Sequence, residues 1–158
     1  MLAIDGPSGA GKSTLAAETV GVLGSRAALV STDAFATWDD PVAWWPQLED
    51  GVLKPLAAGR SGTYRRVDWT SGSPRPGELV RVEVPEVLVL EGVSSGRRAL
   101  RSRLSWLCWI EGGSESERLS RAVARDGEAA RDELRRWQLF ERGWFAVDGT
   151  REAADQLV

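Results

Sequence analysis

Apolar and polar residues along the chain form two kinds of pattern. Four short, continuous apolar runs are typical of strands buried in a parallel sheet. They are MLAI at 1–4, AALVST at 27–32, VLVL at 87–90 and LSWLCWI at 104–110. After Lys12, apolar and small residues at 15, 16, 19, 22 and 23 predict a helix that ends near Gly24. Strands that alternate with helices predict an α/β fold, with a mainly parallel, doubly wound sheet and helices on both faces.

The pattern changes between positions 63 and 84. TYRRVDW and LVRVEV alternate apolar with polar residues, and the turn-forming segment TSGSPRPGE separates them. This predicts a small antiparallel hairpin inserted into the α/β order. From Glu115 to about Phe145 the chain is charged and has helical period, and ADQLV at the end predicts a last strand.

Size and composition restrict the classes of protein. A chain of 158 residues with 42% hydrophobic content suits one domain, covering residues 1–158. The net charge of −3 gives no general attraction to nucleic acid or to anionic lipid, so neither is expected as a partner. No apolar run is long enough to span a bilayer, and no basic leader precedes Asp5, so we expect a cytoplasmic protein.

Two residue types limit the chemistry. The chain contains no histidine, which removes the usual near-neutral general base and histidine metal ligands, so proton transfer falls to carboxylates. The single cysteine, Cys108, lies in an apolar run, so we expect it to pack in the core rather than form a disulfide or a metal site.

Residues 5–16 read DGPSGAGKSTLA and match the GxxxxGK[ST] phosphate-loop pattern between a predicted strand and a predicted helix. In such a P-loop NTPase fold the glycines turn main-chain N–H groups inward, Lys12 reaches the β- and γ-phosphates and Ser13 ligates Mg²⁺. We therefore expect ATP and Mg²⁺ as cofactors. The predicted nucleotide-binding residues here are Gly6, Pro7, Ser8, Gly9, Ala10, Gly11, Lys12, Ser13 and Thr14. The alternative is a glycine-rich turn followed by an ordinary surface lysine.

Three more segments accompany the loop in order. Asp33-Ala34-Phe35 follows the second strand, VLVLEG ends at Glu91-Gly92, and RLSRAVARD occupies 118–126. Together with the loop they resemble the uridine kinase group of small-molecule P-loop kinases, with its DxF motif, third strand and lid segment RLxRRxxRD. The loop itself is also similar to that of cytidylate kinases. The resemblance implies an ATP-dependent phosphotransferase that acts on an alcohol, with a lid at 115–127. A guanine-reading NKxD motif is absent, which disfavours a GTPase.

The chain departs from this group on the acceptor side. Uridine kinases carry YDFxxH where this chain has Val67-Asp68-Trp69, and GEAARDEL replaces their arginine-rich lid continuation. The aromatic residue that follows their DxF motif is Ala36 here. The chain ends at Val158, before the segment that in such kinases helps to hold adenine. Phosphate handling is therefore expected to follow the group, whereas uridine as acceptor does not follow from it.

Carboxylates at strand ends are the candidates for catalysis. The resemblance assigns Asp33 to orient and deprotonate the acceptor hydroxyl; the alternative is that Asp33 caps the following helix. Glu91, at the end of an apolar strand, is expected to hold Mg²⁺ through water or to contact the acceptor, unless it is a solvated carboxylate. Asp5 either contacts the acceptor or braces the loop.

Arg118, Arg121 and Arg125 are spaced to lie along one face of a helix. Such a row can bind a triphosphate, because guanidinium groups hold phosphate oxygens in pairs. Arg118 and Arg121 are predicted to bind nucleotide, and the resemblance makes Arg121 and Arg125 catalytic lid residues. The alternative is a solvated face paired with Glu115, Glu117 and Asp126.

Several side chains are candidates for binding the acceptor. Tryptophans between the first catalytic carboxylate and the hairpin can stack on a base or line a sugar pocket, or can fill the core. These are Trp38, Trp44, Trp45 and Trp69, whereas Trp106, Trp109, Trp137 and Trp144 are predicted as core or interface residues. The predicted acceptor-binding residues are Asp33, Trp38, Arg65, Asp68, Trp69 and Glu91, with Arg66 as a weaker candidate.

The function that fits these features is transfer of the γ-phosphate of ATP to a hydroxyl of a small molecule, with a nucleoside as the first choice. A nucleoside monophosphate kinase is an alternative, with an acceptor phosphate held by Arg60, Arg65, Arg66 and Arg75. Sugar or sugar-acid acceptors stay open, as does a homodimer. From a different class of protein, a sensor that binds ATP without turnover also fits.

Overall fold

The computed structural model describes residues 1–158. Its strands are β1 (Leu2–Asp5), β2 (Ala27–Ser31), β3 (Gly62–Asp68), β4 (Arg75–Val82), β5 (Val87–Glu91), β6 (Trp106–Trp109) and β7 (Gln156–Leu157). Its α-helices are α1 (Lys12–Leu23), α2 (Trp45–Leu48), α3 (Lys54–Ala57), α4 (Glu115–Asp126) and α5 (Arg131–Asp148). A π-helical turn, Glu49–Leu53, joins α2 to α3, and 3-10 turns follow β2 at Thr32–Ala34 and precede β6 at Arg98–Arg103.

The main sheet has five parallel strands in the order β2-β5-β1-β6-β7. Strands β3 and β4 form a separate antiparallel hairpin. The predicted mainly parallel α/β fold with an inserted hairpin is therefore confirmed. Glu91 is in register with Ser31 of β2 and with Ile4 of β1, so the carboxyl ends of three strands meet beside the phosphate loop.

The core lies on both faces of the sheet because side chains alternate along each strand. In β5, Leu88 and Leu90 belong to the larger apolar cluster, which includes Trp44. Val89 belongs to the cluster on the opposite side, where Ala16 of α1 packs. Cys108 is free and buried in this second cluster, as its apolar surroundings predicted.

Element boundaries differ from the sequence prediction in three places. Strand β4 begins at Arg75, so part of the predicted turn is strand, and β6 covers only Trp106–Trp109 of the longer apolar run. The charged region after Glu115 is two helices, because α4 ends at Asp126 and Gly127 follows. The predicted last strand is present as β7, which pairs with Cys108 and Trp109 of β6.

None of the helices combines the length and the apolar composition that crossing a bilayer requires.

Candidate active site

The loop between β1 and α1 takes its shape from glycine. Gly6 has a φ of 142° and Gly9 a φ of 74°, both in the region that L side chains rarely adopt. A Cβ at Gly6 would overlap the carbonyl oxygen of Ile110, and one at Gly9 would overlap the carbonyl oxygen of Arg118. The loop can therefore lie directly against the end of β6 and against α4 only because these positions lack side chains.

The loop presents a concentration of hydrogen-bond donors. The main-chain N–H groups of Gly9, Gly11, Lys12 and Ser13 donate to no acceptor within the protein. They lie at the start of α1, where the helix dipole adds partial positive charge. Unpaired amides at a helix N-terminus bind anions, and phosphate oxygens fit this arrangement.

Lys12 is held across the loop. Its side chain is 8% exposed, and Nζ donates to the carbonyl oxygen of Pro7 at 2.9 Å. It forms no ion pair within the chain, so its charge is available to an anion in the loop. The predicted alternative of an ordinary surface lysine is wrong.

Ser13 and Glu91 meet at the end of the loop where α1 begins. Ser13 Oγ donates to Glu91 Oε2 at 3.3 Å, and Glu91 is only 4% exposed. Burial raises the pKa of Glu91, and the nearby Asp33 carboxylate adds to this shift, while Ser31, Lys12 and Ser13 oppose it. The alternative of a solvated carboxylate is therefore wrong.

This oxygen pair fits Mg²⁺, which usually takes one or two protein oxygens and completes its shell with phosphate and water. The chain has no group of three or more His, Cys, Asp or Glu side chains that could form an all-protein cage. Ser13 and Glu91 are thus the side chains that would hold the ion, directly or through water.

Asp5 lies behind the loop and is fully buried. Its carboxylate accepts hydrogen bonds from the N–H groups of Gly6 at 2.7 Å, Ser94 at 3.1 Å and Gly96 at 2.8 Å. Burial raises the pKa of Asp5 to about 7 although these amides and Lys12 oppose the shift. Of the two predicted roles, the contacts support bracing of the loop.

Asp33 lies in the turn after β2 with its side chain exposed. The cap of this turn is Ser31, whose Oγ accepts from the N–H of Asp33 at 3.3 Å, so the capping alternative for Asp33 is wrong. Asp33 instead lines a cavity of about 360 Å³ next to the phosphate loop. The polar and aromatic side chains around this cavity belong to Ser8, Asp33, Trp38, Trp69, Arg125, Asp126 and Trp137.

Three tryptophans form the apolar wall of this cavity. The Trp38 ring meets Trp69 edge to face with centroids 4.9 Å apart and meets Trp137 in the same way at 5.7 Å. Trp69 also donates from Nε1 to the main-chain oxygen of Asp33 at 3.2 Å. Trp137, predicted as a core or interface residue, belongs to the main apolar cluster and also lines the cavity.

The other two tryptophans of the 38–69 segment lie elsewhere. Trp44 is buried and stacks on Phe35. Trp44, Trp45 and Trp144 surround the Arg97 guanidinium at 4.9–5.2 Å from their ring centroids. Trp44 and Trp45 therefore fill the core, whereas Trp38 and Trp69 face the cavity.

The three arginines of α4 do not share one site, because Arg118 and Arg121 lie near the start of the helix and Arg125 lies near its end. The helix begins at a capping box between Ser114 and Glu117. Arg118 donates to the carbonyl oxygens of Glu111 and Gly113, and Arg121 Nε donates to the Gly9 oxygen at 2.8 Å. Arg121 thus ties α4 to the phosphate loop, whereas Arg118 ties α4 to the segment that precedes it.

Arg125, further along α4, lines the cavity. It binds Asp126 through two hydrogen bonds of 2.6 Å. Asp33 and Glu91 lie close enough to help raise the pKa of Arg125, after the larger effect of Asp126. The predicted pairing with an acidic neighbour is thus present at Arg125, and it leaves the guanidinium on the cavity wall.

The remaining predicted acceptor residues lie on the hairpin. Asp68 accepts from the Thr70 N–H at 2.9 Å and lines a second groove of about 720 Å³, which Asp33, Arg66 and Trp69 also line. Arg65 is exposed, donates to the Gly77 oxygen at 2.8 Å and lines neither the cavity nor the groove. The structure does not bring Arg65 to the candidate site.

One carboxylate at the loop was not predicted. Glu141 of α5 is 2% exposed and accepts from the Ser8 N–H at 3.0 and 3.1 Å and from the Ser8 hydroxyl. Burial raises the pKa of Glu141, while Lys12 and Ser8 oppose the shift. The sequence carries no signal for this contact, since Glu141 stands in a charged helical segment far from the loop.

Comparisons with known proteins support the architecture. No family model matches the chain, and no curated protein matches its sequence. A Bacillus stearothermophilus structure described as a possible uridine kinase matches with a TM-score of 0.68 and 16% identity, over 99% of this chain and 86% of that one. A Silicibacter sp. TM1040 structure, provisionally named a fructose transport system kinase, matches with a TM-score of 0.63 and 20% identity, over 99% and 88%.

At these identities the likeness shows the fold. Both matches extend over 99% of this chain, so they cover the parallel sheet, the strand–loop–helix unit and the hairpin. The chain has a P-loop fold, similar to that of the structure described as a possible uridine kinase.

Proposed function

We propose that this protein is an ATP- and Mg²⁺-dependent phosphotransferase that phosphorylates a hydroxyl of a small molecule, with a nucleoside as the first candidate. The observation that carries the proposal is the position of Asp33. Its exposed carboxylate lines a cavity that Ser8 of the phosphate loop also lines, so a donor site and an acceptor site adjoin.

The residues of the loop would hold the nucleotide. The free amides of Gly9 and Gly11 and the Lys12 ammonium supply hydrogen bonds and positive charge where β- and γ-phosphate oxygens would lie. Bound Mg²⁺ neutralises phosphate charge, and Ser13 and Glu91 would orient it.

Asp33 would orient the acceptor hydroxyl and take its proton. Such transfers have a loose transition state, so placement and charge compensation contribute more than proton removal. Arg125 lies across the same cavity and would compensate charge that develops on the transferred group.

The cavity lining supports an uncharged acceptor over a nucleoside monophosphate. Three tryptophan rings supply apolar and aromatic surface, and Arg125, the one cation, is paired with Asp126. The arginines considered for an acceptor phosphate, Arg60, Arg65, Arg66 and Arg75, do not line this cavity. Arg66 is paired with Glu78 at 2.9 Å.

A sugar acceptor is the second candidate. Tryptophan faces also pack against sugar rings, and one structural neighbour is named for fructose transport. Sugars therefore belong in the same assay as nucleosides.

A coupled assay of ADP formation tests the proposal. Wild-type protein with ATP and Mg²⁺ would be supplied in turn with nucleosides, nucleoside monophosphates, hexoses and sugar acids. We expect ADP formation that depends on a nucleoside or a sugar and that is absent from Lys12→Ala. ATP binding without turnover for any acceptor would instead indicate a nucleotide-binding sensor.

A further inference from the structure

Ser8 differs from its neighbours in the phosphate loop. The amides of Gly9, Gly11, Lys12 and Ser13 have no acceptor in the protein, whereas the Ser8 amide donates to both carboxylate oxygens of Glu141. The Ser8 hydroxyl donates to the same carboxylate. Glu141, which is 133 positions away in the sequence, therefore accepts hydrogen bonds from both the N–H and the O–H of Ser8.

These contacts determine what Ser8 can offer a ligand. A serine hydroxyl has one proton and two lone pairs, and its proton is engaged in the hydrogen bond to Glu141. While Glu141 is ionised it is a strong acceptor, so the Ser8 hydroxyl donates to it. Since Ser8 lines the acceptor cavity, its Oγ is then left as a hydrogen-bond acceptor there.

Glu141 has Ser8 as its main hydrogen-bond partner, with Trp137 and the Lys12 charge nearby. It is 2% exposed and forms no ion pair, and a buried carboxylate without a cation partner is costly to a fold. It stands on α5 one turn after Trp137, which lines the same cavity. Helix α5 thus contributes both an apolar wall and the group that orients Ser8.

Asp33 and Ser8 then contact different groups of the acceptor molecule. A reacting hydroxyl has a single proton, and under the proposed function this proton goes to Asp33. Ser8 Oγ must therefore receive its hydrogen bond from a different group of the acceptor.

We propose that Glu141 is a positioning residue that fixes Ser8 as a hydrogen-bond acceptor for a second, non-reacting O–H or N–H group of the acceptor molecule. The inference rests on the proposed function and adds a requirement to it. The acceptor must carry at least two hydrogen-bond donors, one at the hydroxyl that reacts and one that reaches the edge of the phosphate loop.

Three variants test the pair. Ser8→Ala removes the hydroxyl and its lone pairs, while the main-chain N–H of residue 8 can still donate to Glu141. In Glu141→Gln the side-chain amide can donate to Ser8 Oγ, which frees the serine proton and reverses the role of the hydroxyl. The double variant shows whether Glu141 acts through Ser8, and Glu133→Gln, on the exposed side of the same helix, is the matched control.

The variants are assayed with the best substrate found in the coupled assay. Uridine and its 2′-deoxy and 3′-deoxy analogues are the first compounds compared. We expect Ser8→Ala and Glu141→Gln each to raise the acceptor KM about tenfold, with no further rise in the double variant. Wild type should discriminate about tenfold against the analogue that lacks the second hydroxyl, and both single variants should lose this discrimination. The Kd for ATP with Mg²⁺, measured without acceptor, should change less than about twofold.

Other results overturn the inference. An ATP Kd that weakens as much as the acceptor KM would mean that Glu141 only holds the loop for nucleotide. Unchanged acceptor KM values, or effects that multiply in the double variant, would separate Glu141 from Ser8. If Glu141→Gln fails to fold, Ser8→Ala with the deoxy analogues still decides. Wild type without turnover of any acceptor removes the proposed function and this inference together, whereas turnover with unaffected variants removes the inference alone.

Discussion

The phosphate loop and the acceptor cavity adjoin, but they are made of different groups. The loop has main-chain amides and one lysine from eight consecutive residues, Gly6 to Ser13, and its shape depends on glycines. The cavity is built from side chains of the turn after β2, the hairpin, α4 and α5. One region offers its backbone to a ligand, and the other offers aromatic rings, two carboxylates and Arg125.

Because of this difference, the two regions tolerate amino-acid substitutions to different extents. Backbone donors are the same for any residue that fits the φ angle, so the amide cradle tolerates substitution except at its glycines, and only Lys12 and Ser13 are needed for their side chains. The cavity has no such constraint, because replacing a tryptophan or an arginine changes shape and charge directly. Under the proposed function, the loop can therefore keep its phosphate site while changes in the cavity alter which acceptor binds.

The sharpest test of the comparison is Lys12→Ala. We expect a loss of turnover of about 10²–10³-fold or more, because the change removes the one buried cation of the loop. The folded state should persist, since the side chain forms one hydrogen bond, to Pro7. Steady-state ADP release measures the effect, and Lys54→Ala, an exposed lysine paired with Asp50, is the control. Turnover retained in Lys12→Ala would contradict the loop assignment.

Asp33→Asn tests the acceptor side. We expect kcat to fall on the order of 10²-fold, because an amide cannot take the proton of the hydroxyl. The Kd for ATP should stay near the wild-type value, since Asp33 contacts none of the loop residues through its side chain in the hydrogen-bond network. The exposed Asp39, six residues later, supplies a matched Asp→Asn control. A near-normal kcat would remove Asp33 from catalysis.

The brace behind the loop gives a smaller effect, on stability. The pKa of Asp5 rises from 3.8 to about 7 on folding, so between these values the folded chain holds a proton that the unfolded chain has released. The free energy of unfolding should then fall as pH rises through this window and level off above it. In Asp5→Asn the slope should be less negative by up to about 1.4 kcal/mol per pH unit. Urea unfolding from pH 4.5 to 8 measures this slope. As a control, Asp132→Asn changes an exposed residue on α5 and should leave the slope as in wild type. A slope that Asp5→Asn also leaves unchanged would contradict the raised pKa of Asp5.

The sequence allowed the loop to be predicted in detail because its geometry is local. Gly6 to Ser13 needs only the strand before it and the helix after it, and both were evident from short apolar runs and helical period. Asp33 and Glu91 were predictable for a related reason. Carboxyl ends of parallel strands meet at one edge of a sheet, whatever the distance between them along the chain.

The cavity could not be predicted to the same extent because it depends on where α5 packs. Glu141 and Glu133 both stand in a charged helical segment, and only the tertiary structure makes one buried and leaves the other near the surface. The same holds for the tryptophans, since Trp45 and Trp69 look alike in sequence while one packs on Arg97 and the other faces the cavity.

The smallest effect we predict concerns the aromatic wall. Trp69 meets Trp38 edge to face and lines the cavity, so Trp69→Ala should raise the acceptor KM about threefold to tenfold, the size expected of one aromatic contact. Trp69→Phe should recover most of this loss, because the ring persists and only the hydrogen bond to Asp33 is removed. Trp106→Ala, at a partly exposed position on β6, controls for loss of an indole elsewhere. An acceptor KM that Trp69→Ala leaves unchanged would remove Trp69 from acceptor binding, both in the cavity and in the second groove, which Trp69 also lines.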